Sequence, residues 1–333
     1  MKSPNHAMRS IVMASAVAAG FSTFAPPTRA QSTTSPVQLV EALNGVFGSH
    51  AGARASHAKG VCARGEFAGD AAAALTRASF LRGGGKVDVT ARFSVGGGNP
   101  KASDKSRSVR GLALRFHGAD KTNTDLVMIS APVFFVNSPE NFVKFLEARR
   151  PNPATGAADP DRVRAFQEAH PDARPQAAFL AAHNPPASYG TTPYWGANAF
   201  RFTNAAGQSV HARWRFEPVA GTMRLDADQL KSFADGFLVP ELTERLKSGP
   251  VQFDAFLQVA APGDSVIDPT VEWPSDRRQV RAGRLSITQL ADQACDRELF
   301  NPLSLAEGIA ASGDPTLVAR PGSYAVSLGR RTQ

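Results

Sequence analysis

Three short clusters hold the residues best suited to chemistry. Arg54-Ala-Ser-His57-Ala-Lys-Gly60 lies near the amino end. A histidine carries protons near neutral pH, and an arginine three residues earlier supplies an anion-binding fork beside it. Arg92-Phe93-Ser94 comes next. In an extended chain Arg92 and Ser94 share one face. Arg320-Pro-Gly-Ser-Tyr324 lies near the carboxyl end. A spacing of four puts Arg320 and Tyr324 on one side of a helix. A guanidinium beside a phenol favours the phenolate, a hard anionic ligand suited to ferric haem iron. Of the three tyrosines, Tyr189, Tyr194 and Tyr324, only Tyr324 has such a neighbour.

Taken singly, each cluster also has an ordinary reading. The Arg92/Ser94 face fits either solvent or a polar pocket inside a barrel. The Arg–Tyr pair fits a plain helix surface. His50, His117, His170, His183 and His211 read as surface or capping residues, with no pair at a metal-ligand spacing. The Gly83–Gly85 and Gly96–Gly98 triplets lack the Gly-Lys-Ser/Thr of a phosphate loop, and no G-x-S-x-G, H-E-x-x-H or EF-hand pattern occurs. Two cysteines, Cys62 and Cys295, form no C-x-x-C or C-x-x-C-H motif, which excludes zinc ribbons, redox dithiols and covalent haem attachment. Whether the two bond is open at this level.

The elements that must position these clusters follow from the patterning. Apolar residues at helical spacing predict a helix over Val37 to Val46. Val87 to Val95 alternates strictly between glycine-rich turns, with Val87, Val89, Ala91, Phe93 and Val95 on one face. Further strands are expected over Arg110 to Phe116, Asp125 to Phe135 and Val251 to Val259. A hairpin is expected from Phe200 to Thr203 and Val210 to Phe216. Ser138-Pro139 and Asp159-Pro160 each read as a cap followed by a first-turn proline. Asp226 to Phe237 and Val239 to Lys247 predict a helical pair split near Pro240. Leu303 to Arg331 predicts a C-terminal helical stretch interrupted by Pro315 and Pro321. Strands joined by turns, with helices inserted between groups of them, indicate an α+β fold: an antiparallel β-barrel core with inserted and C-terminal helices.

Residues 1–30 have the order of a secretory signal: Lys2 and Arg9, an apolar run from Ile11 to Phe24, then Thr28-Arg29-Ala30 as a cleavage point. The mature chain, 31–333, is expected to be one domain, exported to the periplasm. Removing residues 1–30, which hold three bases and no acid, lowers the formal charge from +8 to +5. The remaining Lys and Arg are scattered, so no nucleic-acid partner is expected. No later run is long enough to span a bilayer, so no stable membrane anchor is expected after cleavage.

Together the three clusters resemble the haem catalase family, in particular its small exported catalase-related peroxidases. Arg-x-x-His-Ala-Lys-Gly is similar to the family's distal histidine strand and Arg92-Phe93-Ser94 to its Arg-Phe-Ser element. Asp125-Leu-Val and Ala131-Pro-Val-Phe-Phe135 are similar to the strand leading to the distal face. Trp273-Pro274 and Phe300-Asn-Pro302 resemble later landmarks, and Arg320-x-x-x-Tyr324 the proximal motif. The resemblance runs over residues 37–331. It implies non-covalent haem b, with Tyr324 as iron ligand and Arg320 behind it, and His57 as distal base oriented by Ser94. It also implies Phe142 near the haem, and Arg54, Arg92 and Arg331 on the propionates. Hydrogen peroxide (or an organic hydroperoxide) is then the oxidant and a small organic molecule the reductant, with weak catalase activity. A haem-binding or haem-sensing protein without turnover is the alternative. The family's distal asparagine is expected at the position of Ser130, a departure that favours peroxidase over disproportionation. The short ends imply a monomer or small homo-oligomer.

Overall fold

The computed structural model describes Met1 and residues 33–118 and 123–333. Apart from Met1, the segment read as an export signal lies outside the described residues. The chain opens with helix α1 (Pro36–Phe47). Ser35 and Gln38 cap each other reciprocally and Pro36 takes the first turn, where its missing N–H costs nothing. Strands β1 (Gly60–Gly69), β2 (Lys86–Val95), β3 (Arg110–His117) and β4 (Asn123–Ile129) follow as an antiparallel meander. Helices α2 (Pro139–Arg149), α3 (Pro160–Ala169) and α4 (Arg174–Ala182) come next. Ser138 and Asp159 cap α2 and α3 as the sequence predicts. After β5 (Tyr194–Trp195), β6 (Phe200–Thr203) and β7 (Ser209–Pro218) form the expected hairpin. Helices α5 (Ala227–Ser232) and α6 (Leu238–Lys247) precede β8 (Val251–Val259) and β9 (Gln279–Leu290). A short β10 (Ile309–Ala311) and the long α7 (Pro315–Arg331) complete the chain.

The sheet closes on itself. Strands run β7-β5-β4-β3-β2-β1-β9-β8, and β8 pairs back to β7. Eight strands thus form an antiparallel barrel, while β6 and β10 extend from β7. The apolar face of β2 points inward as its alternation predicts: Val89, Ala91, Phe93 and Val95 are buried with Leu112, Leu114 and Met128 of the neighbouring strands. Helices α1, α2 and α7 pack on one another, and all three face the outer surface of the barrel across the cavity described below. Residues 32–333 form one compact unit. Among the described residues no helix is long and apolar enough to cross a membrane.

Four boundaries differ from expectation. β4 stops at Ile129 instead of reaching Phe135, because Pro132 removes a donor and the chain turns away. The segment from Asp226 is helical only to Ser232. Pro240 sits in the first turn of α6 and does not split it. The C-terminal helix starts at Pro315, which opens it, and passes through Pro321 without ending. Between Leu303 and Ala311 the chain makes turns and pairs β10 with β6.

Candidate functional site

The Arg92/Ser94 face of β2 lies neither in solvent nor inside the barrel. It is buried on the barrel's outer surface, with Arg92 and Ser94 each 4% exposed. Strand register sets two rows across that surface. One is Gly60, Ser94, Gly111, Ile129; the other is Cys62, Arg92, Ala113, Val127. A cavity of about 400 Å³ separates this patch from the helices. His57, Arg92, Ser94, Ile129 and Phe142 line it, together with Arg54, Arg320, Tyr324 and Arg331. Every residue singled out in the three sequence clusters therefore reaches one space.

His57 precedes β1 and is the one described non-glycine residue with positive φ, 54°. Such a conformation is uncommon for a side chain with a Cβ and persists where surrounding bonds hold it. Arg92 supplies one such hold, donating from Nη1 to the His57 carbonyl at 2.9 Å. The ring lies against β3, and its Nδ1 is hydrogen-bonded to the Ser94 hydroxyl at 2.9 Å. Gly111 makes this possible: a Cβ there would stand 2.5 Å from Ser94 Oγ and 2.6 Å from His57 Nδ1. Burial, then Arg92, Arg320 and Arg54, push the imidazole down to about 3, so it is neutral through the physiological range. His57 lines the cavity.

Opposite, α7 carries the phenol. Tyr324 Oη accepts from Arg320 Nε at 2.9 Å and Nη2 at 2.7 Å. Arg320 Nη1 donates to Asn198 Oδ1 at 2.9 Å. Asn198 in turn donates to Asp314 Oδ2 at 2.7 Å. Asp314 is the N-cap of α7, accepting from the backbone of Thr316 and Leu317. A single chain of hydrogen bonds thus runs from the start of α7 to the phenol three turns later. Burial raises the Asp314 carboxyl above its usual value, against the pull of its Asn198 and Thr316 donors.

The third group sits at the cavity's edge. Arg92 Nε donates to Asp296 Oδ1 at 2.6 Å. Arg54 and Arg331 donate to backbone carbonyls between Cys295 and Glu298. Burial and the neighbouring Arg92 and Arg331 push Arg54 down to about 9. Burial, followed by Arg92, lowers Arg331 as well. Arg54 Nε is buried without a hydrogen-bond partner. Three guanidinium groups facing one carboxylate leave an unbalanced positive charge, which a dianion would neutralise.

Ser130 corrects an expectation. It does not line the cavity; its hydroxyl accepts from the Arg110 backbone N–H at 2.7 Å. Side chains alternate along β4, so Ile129 takes the place beside Gly111 on the cavity side. The distal wall still has no amide there, but the residue responsible is isoleucine. Trp273 is also away from the cavity, where it stacks on Arg213. Phe300 reaches the cavity beneath Arg54 and Arg115. Sequence reading missed Gly111, Asn198, Ile129 and Asp296. None stands in a motif of chemical type, and only tertiary pairing reveals them. Gly60, the last residue of the first cluster, has a packing role: a Cβ would lie 2.6 Å from Arg92 Cζ.

A closed eight-stranded barrel that holds an imidazole on its outer surface, facing a helix-borne arginine–phenol pair across an arginine-edged cavity, defines a catalase-like class. The catalase family model matches residues 25–332. The chain belongs to the catalase family. It is 42% identical over 301 residues to a catalase-related peroxidase of Synechococcus elongatus, covering 90% of this chain and 89% of that one. It is 36% identical to a catalase-related peroxidase of Mycolicibacterium paratuberculosis, covering 89% and 95%. Among solved structures, catalase A from Saccharomyces cerevisiae superposes with a TM-score of 0.76 at 24% identity, over 84% of this chain and 61% of that one. That likeness is one of fold, and the chain spans about three fifths of the yeast protein's length.

Family and fold imply haem, and the residues fit it. The orphaned Arg54 Nε and the uncompensated guanidinium groups suit two propionates. An oxygen ligand of a type that haem iron takes is available in Tyr324, which already accepts two N–H bonds. A neutral imidazole faces the other side.

Proposed function

We propose that the protein is a haem peroxidase of the catalase-related type. It binds haem b without covalent attachment, reduces hydrogen peroxide or an organic hydroperoxide, and draws electrons from a small organic donor. Weak catalase activity accompanies this. The observation that carries the reading is the meeting of His57–Ser94 and Tyr324–Arg320 across one arginine-edged cavity.

Bound haem supplies a ferric centre that can deliver two electrons to an O–O bond. The Tyr324 oxygen would hold it, oriented by its two hydrogen bonds from Arg320. Arg54, Arg92 and Arg331 would bind the propionates. With Nδ1–H donating to Ser94, His57 presents its Nε2 lone pair to the cavity. There it accepts a proton from one peroxide oxygen and returns it to the other, which leaves as water. The neutral state of His57 suits the first half of this transfer. Ile129 and Val127 give the wall beside His57 no second donor to orient a further peroxide as reductant. This supports turnover by an outside donor over disproportionation.

Export to the periplasm with loss of residues 1–30 is part of the proposal, as is a monomer or small homo-oligomer. Support for export comes from the charged, apolar and small-residue order of the leader and from the Cys62–Cys295 disulfide, which an oxidising compartment permits. The test compares haem-loaded wild type with Tyr324→Phe and His57→Ala. Tyr324→Phe is expected to lose the ferric tyrosinate bands. His57→Ala is expected to keep them and slow the reaction with peroxide by ~10²–10⁴-fold. An unchanged Tyr324→Phe spectrum would remove the ligand assignment. A wild type that binds haem and never responds to peroxide would leave the binding-only reading.

A further inference from the structure

Cys62 and Cys295 are joined by a disulfide, and nothing in the chemistry above uses it. Its place in the sheet is informative. Cys62 stands directly across from Arg92 in the β1–β2 ladder, on the same outer row. Cys295 lies in a five-residue 3₁₀ turn, Gln293–Arg297. The bond therefore lays the 295–298 segment over Arg92.

That segment meets all three arginines of the cluster. Asp296 Oδ1 accepts from Arg92 Nε at 2.6 Å, and the Asp296 carbonyl from Arg331 Nε at 2.9 Å. The Glu298 carbonyl accepts from Arg331 Nη2 at 2.9 Å and from Arg54 Nη2 at 3.0 Å. The Cys295 carbonyl accepts from Arg54 Nη2 at 2.9 Å. Three residues of this short segment, Cys295, Asp296 and Glu298, thus aim side chains from positions 54, 92 and 331. Carbonyl acceptors orient a guanidinium without cancelling its charge, so the cluster stays cationic and pre-aimed. Holding like charges together needs a rigid support, and an isolated 3₁₀ turn is a weak one. The segment is secured on either side. Ala291 N–H donates to the Cys62 carbonyl, and Arg115 holds Glu298 Oε2 and the Leu299 carbonyl. The disulfide pins the middle. Cys62 is fully buried and Cys295 is 3% exposed, so the pin lies beneath the surface.

We propose that the Cys62–Cys295 disulfide is a positioning element for the anion cradle that receives the haem propionates. This rests on the haem reading above. Opening the bond lets the 295–298 segment drift and the three arginines spread, and the propionates lose their preformed partners. The pair never touches the reacting atoms.

The test is haem retention by the full chain, measured as transfer of ferric haem to excess apoglobin. Wild type is compared with Cys62→Ala/Cys295→Ala, each with haem and with haem dimethyl ester, whose propionates carry no charge. Supporting groups around a bound cofactor typically contribute roughly 10–100-fold in affinity, and the double variant is expected to release haem faster by that factor. The dimethyl ester is expected to leave both proteins at the same rate. Equal acceleration for both porphyrins would mean a general loosening and overturn the proposal. Unchanged release of haem would overturn it too. A wild type that retains neither porphyrin would instead bring down the haem reading itself, and this proposal with it. Should the double variant not fold, wild type held under excess dithiothreitol takes its place. Redox-inert gallium protoporphyrin and its dimethyl ester are then the probes. Selective weakening of the free acid sustains the proposal, and its absence under verified bond opening overturns it.

Discussion

At His57 the backbone, the ring and the charge state are set by different neighbours. Arg92 holds the carbonyl, Ser94 holds Nδ1, and burial with three arginines keeps the ring neutral. Gly111 leaves the ring its room, and there a single methyl group is decisive. Gly111→Ala places a Cβ within 2.6 Å of both Ser94 Oγ and His57 Nδ1, so one of them must move. Haem binding is expected to survive, because no arginine of the cluster is involved. The reaction with peroxide is expected to slow by at least ~10-fold, since a displaced general base loses part of its ~10²–10⁴-fold contribution. Stopped-flow absorbance reads both quantities. A full-speed reaction would show that the Ser94 contact is dispensable. The charge state has its own signature. His57 has a folded value of about 3 against an ordinary 6.5. Between those two values the unfolded chain binds the extra proton, so stability rises with pH there and is lost on acidification. Apoprotein is expected to lose up to about 1.4 kcal/mol per pH unit from this one group. Urea titrations at pH 4.5 and pH 7 should show a larger loss for wild type than for His57→Asn, a residue that tolerates positive φ. Equal losses would mean that the folded imidazole ionises normally.

At the scale of elements, legibility followed the strength of local signals. β2 announced itself through strict alternation between glycine turns, and from Ala91 to Val95 both its faces proved buried, for different reasons. The capped helices α2 and α3 began at the residues their Ser-Pro and Asp-Pro pairs indicated. By contrast, β1 and β9 went unread although they sit side by side in the barrel. β1 carries Gly60, Gly65 and Gly69, which dilute its alternation. Gly65 and Gly283 are there because the strands come close: a Cβ at either would lie 2.2 Å from a backbone carbonyl of its partner. Register also shifts near Gly65 and between Ala255 and Phe256, so no period of two survives along β9. α4 lacks a side-chain cap and was missed for that reason. The site shows the same division. His57, Ser94, Arg320 and Tyr324 were legible as motifs with chemistry of their own. Asn198 and Asp296 act only by meeting residues 122 and 204 positions away, which no local pattern records. Ser130 was misplaced by one residue, and in a strand one residue reverses the face.

For the molecule as a whole, the arrangement is built around a charge that it does not itself balance. Arg54, Arg92 and Arg331 come from the segment before β1, from the barrel wall and from the end of α7, and they converge where Asp296 gives the cluster a carboxylate partner, through Arg92. Arg54 carries the plainest mark of the cost. Its folded value of about 9 lies below the ordinary 12.5, from burial first and from Arg92 and Arg331 after it. A lowered value means that the charged form is disfavoured in the fold. The sign is fixed: at every pH below about 9 the group is charged in both states, and the full cost is present. Arg54→Met keeps much of the stem's packing and removes the charge. The apoprotein of this variant is expected to melt no lower than wild type, because lost repulsion and regained desolvation offset the two carbonyl bonds given up. Its haem affinity is expected to fall roughly 10-fold or more, the usual consequence of removing a charged partner from a buried pair. Haem affinity is thus expected to fall without a fall in apoprotein stability. A variant apoprotein less stable by more than about 1 kcal/mol would mean that the carbonyl bonds of Arg54 outweigh its charge cost. The cluster would then be a structural support first and an anion cradle second.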